Sequence, residues 1–128
     1  MKIEVSIGEV VDKITILEIK QEHIEDNKKL EYVTQELEIL KQTLIDEGVS
    51  VPESMINDLK NINQELWDTE DVIRLCEKKE KFDDEFVKHA RLDAILNDKR
   101  FLAKNKINNF CNSLIKEQKS YEGLYTAD

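Results

Sequence analysis

The stretch SIGEVVDKITILEIK at residues 6–20 interleaves charged and hydroxyl side chains with apolar ones. On a wheel of 100° per residue, Asp12, Thr15, Ile16, Ile19 and His23 form a second stripe. It lies beside the apolar face made by Ile7, Val10, Val11, Ile14 and Leu17. Far along the chain, Arg100, Lys104 and Asn108 recur every four residues, with Asn97 and Asp98 just before them. Cationic side chains near a helix N-terminus make an anion site, because aligned N–H groups and positive charge act together. The candidate polar or anion site is therefore Asp12, Lys13, Arg91, Asn97, Arg100, Lys104 and Asn108. A buried Asp12 would need a cationic partner, and Arg91 and Arg100 are the natural ones. Such a cluster would take a phosphate or a sugar phosphate. The plainer alternative makes Asp12 and Thr15 contacts between helices, Lys13, Glu18 and Lys20 solvated, and the late cations a basic surface.

Acidic pairs raise a second chemistry. Glu22-x-x-Glu25 and Glu65-x-x-Asp68 fit the ExxE and ExxD motifs with which all-α nucleotide pyrophosphohydrolases hold Mg²⁺, a cation that needs several oxygen ligands. The two pairs lie far apart for adjacent helices of such a fold, and 28 acidic residues produce matches by chance. Glu85, His89 and Asp93 have i, i+4, i+8 spacing suited to a transition metal. A packed, hydrogen-bonded His89 beside the Phe82–Phe86 stripe is the simpler reading. An all-α chorismate mutase would need cations around a dicarboxylate, and the first helix has no Arg. No P-loop, nucleophile elbow or dinucleotide glycine pattern is present. Trp67 and the other aromatics sit at helical spacing and read as core. The expected cofactor is none, with Mg²⁺ in the hydrolase alternative.

These residues need elements to hold them. The 128 residues fit one domain, able to bury a core without staples. Charged residues make up 37%, and the net charge is −9. That balance disfavours nucleic acid and anionic membrane as partners. Three of the 19 basic residues are Arg, which suits bidentate anion contacts better than Lys does. Cys76 and Cys111 form no CxxC pattern and read as small buried hydrophobes in a reducing compartment. No signal-peptide pattern opens the chain, and no apolar run reaches the roughly 18 residues a membrane span needs. A cytoplasmic protein is expected.

Only three Gly and one Pro occur, and Gly48-Val49-Ser50-Val51-Pro52 is the clear break. Ser6 and Glu9 form a capping box, with Val5 stapling onto Val10; Gly8 costs little in the first turn. Apolar residues then run through Ile24, pause at Asp26-Asn27-Lys28-Lys29, and resume at Leu30, Val33, Leu37, Leu40 and Leu44. The spacing predicts a bent rod of about 60 Å ending near Glu47, with Gly48 as a left-handed cap. Ser50 and Glu53 repeat the capping-box spacing before a second seam of Met55, Leu59, Ile62, Leu66, Thr69, Ile73 and Cys76. Asp83 or Asp84 opens a third helix, Asn97-Asp98 marks a turn, and a last helix runs through Phe101 to Ile115. Tyr121, Leu124 and Tyr125 lie on a tail that folds back. The expected fold is all-α, one domain over 1–128. It is an elongated bundle with a long antiparallel helical hairpin over 6–80 and two shorter helices within 82–119, dimerising through the hairpin.

SIGEVVDKITILEIK, ELWDTED at 65–71, FDDEFVKHAR at 82–91 and NDKRFLAKNKINNFCNSLIKEQKSY at 97–121 resemble a family of uncharacterised bacterial and phage proteins. The resemblance covers nearly the whole chain. It implies a place beside, or fused to, glycosyltransferases and polysaccharide-biosynthesis proteins, and supplies no catalytic residues. The chain departs from the family pattern at Asn112, where Gly is expected, and at Gln118, where Glu is expected. The leading expectation is a non-catalytic interaction or accessory module with a protein partner, linked to surface-polysaccharide or glycosyltransferase systems. The Mg²⁺-dependent nucleotide pyrophosphohydrolase is the alternative.

Overall fold

The computed structural model describes residues 1–123. Among them the regular structure is all helical: α1 (Ile7–His23), α2 (Asn27–Asp46), α3 (Glu53–Lys79) and α4 (Asp84–Phe110). None of these helices is long and apolar enough to cross a membrane. Leu124 and Tyr125 of the expected folded-back tail lie outside the described residues.

The rod predicted to reach Glu47 is two helices. Ile24 is extended, and Asp26 accepts from the Lys29 amide at 2.9 Å, which makes it the N-cap of α2. The polar run that reads as a pause is a corner. Helix α2 doubles back on α1, so that Val10, Ile14 and Leu17 pack against Val33 and Leu37, flanked by Ile24, Leu40 and Leu44. The long hairpin across Gly48 is therefore not formed. Helix α2 packs along α1, and its end residue Leu44 reaches the Val11–Leu59–Ile107 cluster, while α1 touches all three other helices and α3 pairs with α4. The physical reason is that α2 buries only Val33 and Leu37, and α1 already covers that narrow stripe.

Gly48 does end α2 in the left-handed region (φ 67°), with Gly48 N–H bonded to Ile45 O and Val49 N–H to Leu44 O. Ser50 is not the next cap: α3 begins after Pro52 without a side-chain cap. The α3 seam buries Leu59, Leu66, Thr69 and Cys76 as the spacing implies, and adds the polar Asn63. Helix α4 is one helix of 27 residues where two were expected. Asp83 caps it, accepting from the Phe86 amide at 3.4 Å. Asn97 and Asp98, the predicted turn, lie well inside it: the Asn97 amide donates to Asp93 O at 3.0 Å, and Asp98 is buried. The helix stops at Phe110, short of 119, and Asn112 then adopts φ 53°. That left-handed geometry accounts for the glycine expected there, and Asn is among the side chains that tolerate it.

Helix α1 is thus the middle layer, with α2 on one face and α3 and α4 on the other. Val11 meets the fully buried Leu59 and Ile107 on that second face. Gly8, Glu9 and Asp12 face Asn108, Lys104 and Arg100, which sets α1 antiparallel to α4. After α4, residues 113–123 return along it as an irregular strap. Its Ser113, Glu117 and Tyr121 contact Ile7, Lys104 and Asp98 in turn.

Candidate functional site

The polar stripe of α1 becomes a network where α1, α3 and α4 meet. Asp12 is 1% exposed. Arg100 grips it by an edge, Nε to Oδ1 at 2.8 Å and Nη2 to Oδ2. Asn63 Nδ2 donates to Asp12 Oδ1 at 2.9 Å and to Thr15 Oγ1 at 2.9 Å, and the Thr15 hydroxyl donates to Asp12 O at 2.8 Å. A carboxylate this deep is tolerated only because charge and hydrogen bonds both satisfy it. The hydrogen bonds to Asp12 raise the Arg100 pKa against the opposing effect of burial. The Arg100 side chain is still 29% exposed, and the fork leaves its Nη1 group out of the bond to Asp12.

A second group lies one turn on. Lys104, with a side chain 9% exposed, donates to Glu9 Oε2 at 2.7 Å and Glu117 Oε1 at 2.8 Å. Burial disfavours its charge, but the hydrogen bonds it donates to Glu117 and Glu9 outweigh that and raise its pKa. The fully buried Asn108 accepts from the Gly8 amide at 2.7 Å. Ser113 Oγ accepts from Ile7 N–H at 3.1 Å and Ser6 Oγ from Glu9 N–H at 3.1 Å. The first amides of α1 are therefore satisfied inside the protein. Gly8 is required here: a Cβ would sit 2.5 Å from Lys104 O and 2.9 Å from Asn108 Oδ1.

Three depressions meet at Arg100. One of about 110 Å³ is lined by Asn97, Arg100, Phe101, Lys104, Glu117 and Lys119. Another of about 180 Å³ includes Glu9, Asp12, Lys13, Lys20 and Glu36. The third, about 330 Å³, sets Ile16, Ile19, Leu66 and Trp67 beside Lys20, Arg74, Glu70 and Asp71. The Trp67 ring also stacks at a tilt on His23, centroids 4.8 Å apart. At its rim, burial and then the facing Asp93 carboxylate raise the Glu70 pKa, while Arg74 and Arg100 pull it down.

Of the expected site residues, Asp12, Asn97, Arg100 and Lys104 are brought together, Lys13 is on a rim, and Asn108 serves the α1 terminus. Arg91 is not among them. It is exposed on α4, in a separate depression with Asp84, Val87, Lys88, Leu92 and Ile95. The expected helix start at Asn97-Asp98 is also absent, so cations and not a helix terminus give this site its positive charge. Glu22 pairs with Lys60 at 3.2 Å, Glu25 lies in the α1–α2 link, and Glu65 and Asp68 are exposed on α3. Among the described residues no three His, Cys, Asp or Glu side chains gather as a metal ion would need. His89 Nδ1 bonds Glu85 O at 2.8 Å. Cys76 and Cys111 are free thiols; burial raises the Cys111 pKa. Asn63 carried no sequence signal, because an Asn on an apolar seam reads as an interruption.

No curated protein and no solved structure matches this chain. Residues 1–127 match a family of unknown function, DUF6165, and the chain belongs to that family.

Proposed function

We propose that this chain is a non-catalytic accessory module that binds a small organic oxyanion at Arg100. The observation that carries the reading is the fork between Arg100 and the buried Asp12. It uses one edge of the guanidinium, fixes the side chain, and leaves the other edge's donors unused by Asp12, on a residue that lines three depressions. Pre-positioned arginine loses less freedom when it binds, and its planar donors suit phosphate and carboxylate geometry. The 110 Å³ depression adds the ammonium groups of Lys104 and Lys119, a set fit for a phosphate-sized group. The 330 Å³ depression offers the flat Trp67 flanked by Arg, Lys and carboxylates, which suits a ring bearing hydroxyls. A phosphorylated sugar matches both halves. The resemblance to proteins found beside glycosyltransferases favours the same class, by association alone.

The test is calorimetric titration of the full chain with glucose 1-phosphate, against glucose and against Arg100→Lys. Lysine keeps the charge but cannot grip Asp12 and a ligand with one planar group, so affinity should fall by about tenfold or more. Equal binding by both proteins, or no binding by either, would sink the reading.

A further inference from the structure

Glu117 occupies the position a ligand's oxyanion would take. Its carboxylate oxygens accept from Lys104 Nζ at 2.8 Å and Lys119 Nζ at 2.9 Å. It lines the 110 Å³ depression and lies close enough to Arg100 to reinforce that group's charge. The strap that carries it has no regular structure, and residues 118–123 are exposed. Its described hydrogen bonds to the rest of the chain are at Ser113, Glu117 and Tyr121. Lys119 also lies over the Phe101 ring at 5.6 Å.

We propose that Glu117 is a built-in competitor for this site, and that the ligand is a phosphate monoester dianion which displaces it and releases the strap. The inference rests on the Arg100 reading above. A carboxylate tethered a few residues from its anchor at Ser113 has an effective concentration on the order of millimolar. A free carboxylate brings the same charge and the same two oxygens, so it gains nothing to offset that advantage. A phosphate monoester carries about −1.5 to −2 charge and three acceptor oxygens. It can take donors from Lys104, Lys119 and the outer edge of Arg100 together, while Lys104 keeps its bond to Glu9. Glu117 then turns to water, and the strap loses the middle of its three attachments.

The experiment titrates wild type, Glu117→Gln and Glu117→Ala with glucose 1-phosphate and with acetate, and follows amide hydrogen exchange over 113–123. Expected results are about tenfold tighter glucose 1-phosphate binding by both variants, and no measurable acetate binding by wild type. Strap exchange should rise when ligand is added to wild type and start high in the variants. Unchanged or weaker binding by both variants, while Arg100→Lys still loses affinity, overturns the competitor and leaves the Arg100 reading standing. Acetate binding as tight as glucose 1-phosphate overturns the choice of a dianion. No binding by any of the three removes this inference and the Arg100 reading together.

Discussion

The α1–α2 seam and the α1–α4 seam share a helix and little else. The first is a greasy zipper of Val10, Ile14, Leu17, Val33 and Leu37. The second carries Gly8, Glu9 and Asp12 against Asn108, Lys104 and Arg100. Apolar burial is non-directional and tolerates small shifts. A charge fork does not: it works at one separation and one rotation of the two helices. The first seam supplies adhesion, and the second fixes where Arg100 points.

The sharpest way to break that contrast is Arg100→Met. It strands Asp12, buried and unpaired, and should cost about 3–5 kcal/mol in urea unfolding. On the other seam, Leu37→Ala should cost about 2–4 kcal/mol through lost burial and a cavity, with glucose 1-phosphate affinity unchanged. A loss of that affinity would mean that the two seams are not separable. Gly8→Ala comes next. Backbone blocks its methyl, so overpacking should cost about 1–3 kcal/mol by thermal melting and weaken the ligand as well. Ser6→Ala, removing the α1 cap, should cost about 1 kcal/mol in the same assay.

The smallest effects are those of pH, and they have opposite signs. Burial resists ionisation of Glu117, but hydrogen bonds from Lys104 and Lys119 win and hold its pKa below the ordinary value. Its contribution is present above the unfolded pKa and disappears as pH falls through the lower folded one. Glu70 has a raised pKa, so its contribution is present below the unfolded pKa and disappears as pH rises through the higher folded one. Unfolding measured across the acid range should therefore flatten on the low side in Glu117→Gln and on the high side in Glu70→Gln.

Periodicity made the all-α class legible, because the apolar stripes of α1, α2 and α3 each recur at three and four residues. Arg100 was also readable as a partner for Asp12, since a buried carboxylate needs a cation and the chain has few arginines. Three features were hidden for one reason: each depends on what a polar side chain touches across space. Asp26 looks like one more solvated acid until its carboxylate meets the Lys29 amide. Asn97-Asp98 reads as a turn, yet Asn97 bonds back to Asp93 O and the Tyr121 hydroxyl holds Asp98 inside. Gly8 looks incidental in a first turn until α4 arrives against it.

The fork also has a consequence for how the chain is born. Asp12 and Arg100 lie 88 residues apart in sequence. At about 5–20 residues per second, a ribosome makes the second roughly 4–18 s after the first. During that wait α1 can rest against α2, since those two are neighbours in the chain, while its acidic stripe stays wet. The Asp12–Arg100 network is thus among the later contacts of these four helices to be assembled, completed only as α4 leaves the exit tunnel.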